Sequence, residues 1–204
     1  RLQGLTVKNI RITIRYGKKK ITSKISELLF THFGVSGPVI LDLSGKITPL
    51  FGKHEKIQLF IDLKPGLDFE KLERRILRDF TEAKNALLKN VMTNLIPQRL
   101  ADVFIDIAGL ERDKRANQVT RKERHSITNL LKALPLTLKG PLPLDKAMVT
   151  SGGVSTAEIN PRTMESKIVP GLYFAGEIID GAAPSGGYNL QQAFSTGYLA
   201  GEKV

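Results

Sequence analysis

From Leu5 to Ile14 the chain alternates, with Val7, Ile10, Ile12 and Ile14 apolar and Lys8, Arg11, Thr13 and Arg15 polar. A period of two is that of a strand with one buried face, and the slip in the alternation near Asn9 predicts an irregularity there. Tyr16-Gly17-Lys18 reads as a turn, and Ile57 to Leu63 as a second strand that ends before the Pro65-Gly66 break. Past that break the period lengthens. Phe69, Leu72, Ile76, Phe80, Ala83, Leu87, Val91 and Leu95 share one face of a helix, with Asp68 placed to cap it. Pro97 suits the first turn of a second helix through Leu100, Val103, Phe104 and Ile107, which Gly109 stops. Thr120 and Glu123 have capping-box spacing, and Ile127, Leu130, Leu131 and Leu134 give a third helix its apolar face before Pro135. Short apolar runs then predict strands at Leu136–Leu138, Ala147–Thr150 and Leu172–Ala175. The order is strands, helices, strands, which is an α+β pattern with the helical block as an excursion from a β-rich unit.

Composition narrows the class. With 204 residues, 41% hydrophobic and 25% charged, the chain is an ordinary globular sequence, and fibrous or wholly disordered readings are excluded. The absence of cysteine removes disulfides, thiolate zinc sites and a cysteine nucleophile. No apolar run reaches membrane-spanning length and the first twenty residues lack a signal-peptide core, so the expectation is a soluble, cytoplasmic protein. The chain starts at Arg1 without a methionine, which suggests a piece of something longer. The net charge of +11 is unevenly spread: residues 1–60 hold 11 basic and 3 acidic side chains, residues 61–150 hold 17 and 12, and residues 151–204 hold 3 and 5. A basic surplus favours anionic partners. Aromatics at 6% and the lack of Trp leave little material for base stacking, however. For Lys18-Lys19-Lys20 the ordinary explanation is a hairpin tip kept soluble by charge, with phosphate binding as the alternative.

Side chains for catalysis are few. His32, His54 and His125 show no metal-ligand spacing, so no metal is expected. Gly34-Val35-Ser36-Gly37-Pro38 falls short of a serine-hydrolase elbow. The last third is more informative. Gly152-Gly153 permit a close backbone approach. Gly176-Glu177 follow an apolar run, a place where a carboxylate can accept hydrogen bonds from a polyol. The loop Ser185-Gly186-Gly187 opens a helix whose free N–H groups and positive dipole end favour electron-rich ligand atoms. Ala193, Gly197 and Gly201, four residues apart, predict a face small enough to pack closely on a sheet.

Those segments carry a family likeness. Residues 149–201, VTSGGVSTAEINPRTMESKIVPGLYFAGEIIDGAAPSGGYNLQQAFSTGYLAG, resemble the C-terminal part of the NAD(P)/FAD-dependent flavoproteins that include aminoacetone oxidases and bile-acid ring reductases. Residues 25–44, ISELLFTHFGVSGPVILDLS, resemble a second signature from the domain inserted in them. The resemblance implies a β-barrel insert domain with a helical subdomain, followed by the C-terminal segment of a Rossmann-type FAD-binding domain. On it, residues 1–64 would be the barrel part, 65–135 the helical subdomain, 136–146 a return strand, and 147–204 the FAD-domain segment. No GxGxxG follows a strand anywhere, so the N-terminal half that would hold the FAD pyrophosphate is the expected missing partner, and this piece alone is expected to be inactive.

The resemblance assigns cofactor contacts residue by residue. Gly176 and Glu177 would lie by the ribityl and pyrophosphate region. Gly186, Gly187, Tyr188, Asn189, Leu190 and Gln191 would form the start of the helix at the isoalloxazine ring, and Gly152, Gly153 and Val154 the loop approaching that ring from its other side. Thr31, His32, Ser36 and Gly37 are substrate-side candidates from the insert signature, with His32 either a proton donor or a structural histidine. The expected function is thus flavin-mediated hydride or electron transfer on a small organic substrate, FAD being the cofactor and NAD(P)H a candidate electron donor. The alternative is a basic nucleic-acid-binding module without catalysis. It is disfavoured here because the glycine loops lie in the acidic third of the chain, and a scaffold for a partner chain is the third reading.

Overall fold

The strand β1 (Thr6–Tyr16) organises everything around it in the computed structural model, which describes all 204 residues. Ile10, Ile12 and Ile14 are wholly buried on one of its faces, as the alternation requires. At Asn9 the backbone takes a positive φ of 55° and the pairing register shifts between Val7 and Ile10, so the predicted irregularity is a bulge. It lets β1 change partners. Its first part pairs with β3 (Ser26–Phe30), its second part with β2 (Lys19–Thr22) and β5 (Ile57–Asp62). With β4 (Val35–Ser36) and β6 (Leu134–Leu138) the strand order is β4-β3-β1-β5-β6, with β2 also on β1, and every pairing is antiparallel. β6 is an edge strand, where Pro135 can sit opposite Phe60 without a missing N–H breaking a ladder. The pattern did not predict β3, β4 or the helix α1 (Pro38–Ile47).

The helical block follows its sequence signals with one correction. α2 (Phe69–Glu82) is capped by Asp68, whose Oδ1 accepts from the Lys71 N–H at 2.8 Å. The single helix expected over 69–95 is two, because α2 stops at Glu82 and α3 spans Leu88–Met92. Between them the Leu88 N–H donates to the Lys114 carbonyl at 2.8 Å and the Ala116 N–H to the Ala86 carbonyl at 3.0 Å. These long-range bonds replace the helical ladder at that point. α4 (Gln98–Ile107) begins just after Pro97, and α5 (Arg121–Lys132) carries the predicted box: the Glu123 N–H donates to Thr120 Oγ1 and the Thr120 N–H to Glu123 Oε2. Lys132 Nζ meets Asp62 Oδ2 at 2.7 Å and donates to the carbonyls of Lys64 and Leu67, which ties α5 to the end of β5.

The chain divides into two compact units, Arg1–Ile40 with Leu50–Lys139, and Leu41–Pro49 with Gly140–Val204. The second has a small core of Ile159, Met164, Ile179 and Ala200, against which Val154, Tyr173, Phe174 and Leu199 pack. Its one long helix is α6 (Tyr188–Gly201), and from Gly140 onward its β structure consists of isolated bridges. The strands predicted at Ala147–Thr150 and Leu172–Ala175 do not form. Tyr173 bridges only Glu165, with the Ser166 N–H donating to the Leu172 carbonyl and the Phe174 N–H to the Met164 carbonyl, so the pairing stops at one bridge; Met148 is 77% exposed.

Candidate functional site

In the second unit the backbone at Val154 runs parallel to that at Ile179. The Val154 N–H donates to the Ile178 carbonyl at 2.8 Å and the Asp180 N–H to the Val154 carbonyl at 2.9 Å. That approach needs glycine at 153, where φ is 137° and a Cβ would fall 2.2 Å from the Ile178 carbonyl oxygen. Glu177 sits on the tight turn Gly176–Ile178, and its Oε1 accepts from both the N–H and the hydroxyl of Thr150 at 2.7 Å each. The Thr150 backbone N–H, followed by its hydroxyl, holds this exposed carboxyl below the usual range, so Glu177 is an anion at neutral pH. Its Oε2 makes no hydrogen bond within the protein and can accept one from a ligand hydroxyl.

α6 packs behind this turn. The Gly176 N–H donates to Thr196 Oγ1 at 2.9 Å, and the Thr196 hydroxyl donates in turn to the Gln192 carbonyl. Ala193, Thr196, Leu199 and Ala200 form the inward face, whereas Gly197 and Gly201 are exposed with open space beside them. The stripe predicted at 193, 197 and 201 is therefore corrected. Four-residue steps drift by about 40° each on a 3.6-residue helix, which carries the second and third members off the face. Outward, Leu190, Phe194 and Tyr198 are 65%, 71% and 68% exposed.

Gly187, at φ 89°, is the N-cap and brings no side-chain acceptor. The Gln191 N–H begins the ladder to the Gly187 carbonyl, which leaves the N–H groups of Tyr188, Asn189 and Leu190 as free donors. The loop ahead of them is held on both flanks. The Asn189 side chain exchanges two hydrogen bonds with the backbone of Ala183, and the Ser185 N–H and hydroxyl both donate to Asp42 Oδ1 at 2.9 and 2.8 Å. A fixed loop, three free donors and the positive end of a helix dipole, with open space at Gly187, fit an electron-rich planar group. Thr150, Thr196 and Asp42 were missed by sequence reasoning. They lie 27, 20 and 143 residues from the groups they hold, and no spacing links them.

The four substrate-side candidates lie in the first unit, around the β3–β4 hairpin. The Thr31 N–H donates to the Gly34 carbonyl at 2.8 Å, while Thr31 Oγ1 is buried without a partner. Ser36 pairs in register with Leu29, and Gly37 runs against that strand with its Cβ position 3.0 Å from the Leu29 nitrogen. His32 is exposed, its ring edge-on to Phe33 at 4.9 Å. The hairpin gathers these residues, but their side chains make no hydrogen bonds to one another. No helix of the chain is long and apolar enough to cross a membrane.

Residues 1–149 match the HI0933-like protein barrel and H2TH domain. The chain belongs to the HI0933-like family. Among curated relatives, a 3-dehydro-bile acid delta(4,6)-reductase of Clostridium scindens is 26% identical over 94% of this chain and 47% of its own length. A ribosomal RNA dihydrouridine synthase of Haemophilus influenzae is 32% identical over 97% of this chain and 45% of its own. The ribosomal RNA dihydrouridine synthase of Escherichia coli is 33% identical over 87% and 42%. This HI0933-like chain thus spans less than half the length of these relatives, all of which are named as enzymes. At the level of the family, the first of them supports the resemblance to bile-acid ring reductases.

Proposed function

We propose that this chain is the insert and C-terminal portion of a flavin-dependent reductase that saturates uracil rings in ribosomal RNA. The names of the relatives share one chemistry. A 3-oxo bile acid with ring double bonds and a uridine base both present a carbon–carbon double bond conjugated to a carbonyl. Reduction adds two electrons and two protons across it, with the hydride going to the carbon remote from the carbonyl and the proton to the adjacent one. A bound flavin would supply the electron pair, drawn from NAD(P)H.

The chain's own residues bind and orient. The free N–H groups of Tyr188, Asn189 and Leu190 favour negative charge on the group they face, Glu177 Oε2 accepts a ribityl or ribose hydroxyl, and Thr150 holds that carboxylate in place. Gly152, Gly153 and Val154, with Gly176, set the backbone of the opposite wall; Gly186 and Gly187 leave the N-terminus of α6 open, and Gln191 begins its ladder. The exposed Leu190, Phe194 and Tyr198 are the face we assign to the remaining half of the longer protein.

The observation that carries the RNA reading is the pair of dihydrouridine synthases together with the charge of each unit. The first unit has 26 Lys and Arg against 13 Asp and Glu, and the second has 5 against 7. The family resemblance implied a small organic substrate, and the place of the glycine loops in the acidic part counted against a nucleic-acid-binding module. Divided by unit, the charge is compatible with RNA: one unit holds the cofactor contacts and the other carries the polyanion. A bile acid offers a single negative charge and calls for no such surplus. The test is to purify the full-length protein, measure flavin absorbance, and incubate it with NADPH and ribosomal RNA from cells lacking its gene. Dihydrouridine found by mass spectrometry of the digested RNA is the expected result. Absence of flavin overturns the cofactor assignment, and reduction of a 3-oxo-Δ4,6 steroid without reduction of RNA overturns the substrate.

A further inference from the structure

We infer that one end of the sheet formed by β2, β1, β5 and β6 is the surface that grips the phosphate backbone of the RNA. The inference rests on the RNA reading above and adds the place where the polyanion is held. Four strands end together there. Tyr16 is opposite Lys19 and Ile57, and Ile57 is opposite Leu138, so Lys18 in the β1–β2 turn, Lys56 before β5 and Lys139 after β6 lie along one rim. Lys53 joins them, because the neighbouring His54 ring packs on Tyr16 at 5.1 Å. Lys18, Lys19, Lys20, Lys53, Lys56 and Lys139 are all exposed, and none is paired with a carboxylate. The one acidic side chain in these segments is Glu55, also unpaired.

The polar face of the same sheet continues the rim. Lys20, Arg15, Gln58 and Thr137 form one cross-strand row, and Thr22, Thr13, Phe60 and Pro135 the next. The Arg15 guanidinium lies 4.7 Å over the Phe60 ring, a flat platform of the kind on which a base stacks. Lysines at a hairpin tip need no explanation beyond protecting the edge strand β2. Lys56 and Lys139 fall outside that explanation, since one precedes a central strand and the other follows the opposite edge. Unpaired like charges gathered at one rim oppose folding, and an anionic partner relieves that repulsion. A bilayer is the less suitable anion, because none of the large exposed apolar residues lies on these strands.

The test uses the full-length protein and a fluorescent, uridine-rich single-stranded RNA, with affinity measured against salt concentration. Two variants carry the same loss of charge: Lys18→Gln/Lys20→Gln/Lys56→Gln/Lys139→Gln on the rim, and Lys84→Gln/Lys89→Gln/Arg121→Gln/Lys122→Gln on the helical block. The rim variant should lower the slope of log K against log salt by about 3 and weaken binding at least roughly tenfold near 0.1 M salt, because four phosphate contacts are lost. The helical variant should bind nearly as the parent does, flavin absorbance should be unchanged in both, and the rim variant should melt no lower than the parent, because its loss of like charge relieves repulsion. Equal weakening by the two variants would mean that net charge alone acts, which overturns the rim assignment. Binding to phosphatidylserine vesicles but not to RNA would overturn it in favour of a membrane. The two readings fail separately. RNA binding that depends on the rim without uridine reduction removes the substrate proposal and leaves the surface, whereas dihydrouridine formation with rim-independent binding does the reverse.

Discussion

The two units of this chain solve the problem of burial differently. In the first, Ile10, Ile12, Ile14, Leu59, Leu72 and Phe104 have no exposed surface, and nearly every regular element predicted by its pattern forms. In the second, a core of four buried side chains supports loops held by paired hydrogen bonds, while α6 turns Leu190, Phe194 and Tyr198 outward. A unit that completes its own sheet can be read from its alternation and caps. A unit whose apolar faces have no partner within the chain cannot, because period alone does not say whether a neighbour exists.

The contrast is broken most directly at Phe104. Phe104→Ala should cost about 3–5 kcal/mol in urea unfolding, as a cavity opens in a packed core. A loss within the range of a surface change would mean that the first unit is no denser than the second. The next largest effect belongs to the second unit. Gly153→Ala should strain the backbone by about 1–3 kcal/mol and force Val154 away from Ile178, which should lower flavin retention by the full-length protein. Gly187→Ala has the φ penalty without the overlap, at about 1 kcal/mol, so equal effects of the two in thermal melting would contradict the close approach. Thr120→Ala removes the cap of α5 at about 1 kcal/mol, read as a lower midpoint in the same urea titration.

Acid should produce the smallest and most gradual change. Glu123, held low chiefly by the hydrogen bond from Lys114, and Asp68 and Asp106, held low by their Lys71 and Arg112 partners, all have folded pKa values below their unfolded ones. Their contribution is therefore present above the unfolded pKa and is lost as pH falls through the folded value. Melting temperature should decline across the acid range, less steeply in Glu123→Gln. A melting temperature that rises on acidification would contradict the ion pairs. Glu177 follows the same sign in the second unit, and Thr150→Val should raise its pKa only in part in an NMR titration, because the hydroxyl bond is lost while the larger cause, the backbone N–H of residue 150, stays.

Local chemistry made much of the first unit legible. The bulge at Asn9, the Asp68 cap, the Thr120–Glu123 box and the stop at Gly109 each depend on residues a few positions apart, so a short window of sequence contains the whole cause. The tertiary structure decided what depends on distant partners. It cut the helix expected over 69–95 by pairing residues 86–88 with 114–116, limited Leu172–Ala175 to a single bridge, and placed Thr150 on Glu177 and Ser185 on Asp42. It also brought Lys18, Lys56 and Lys139 to one rim through strand register, where the sequence shows only separate charges. Periodicity and capping act over a turn or a strand, whereas the pairing of segments is fixed by which surfaces the whole chain can bury together.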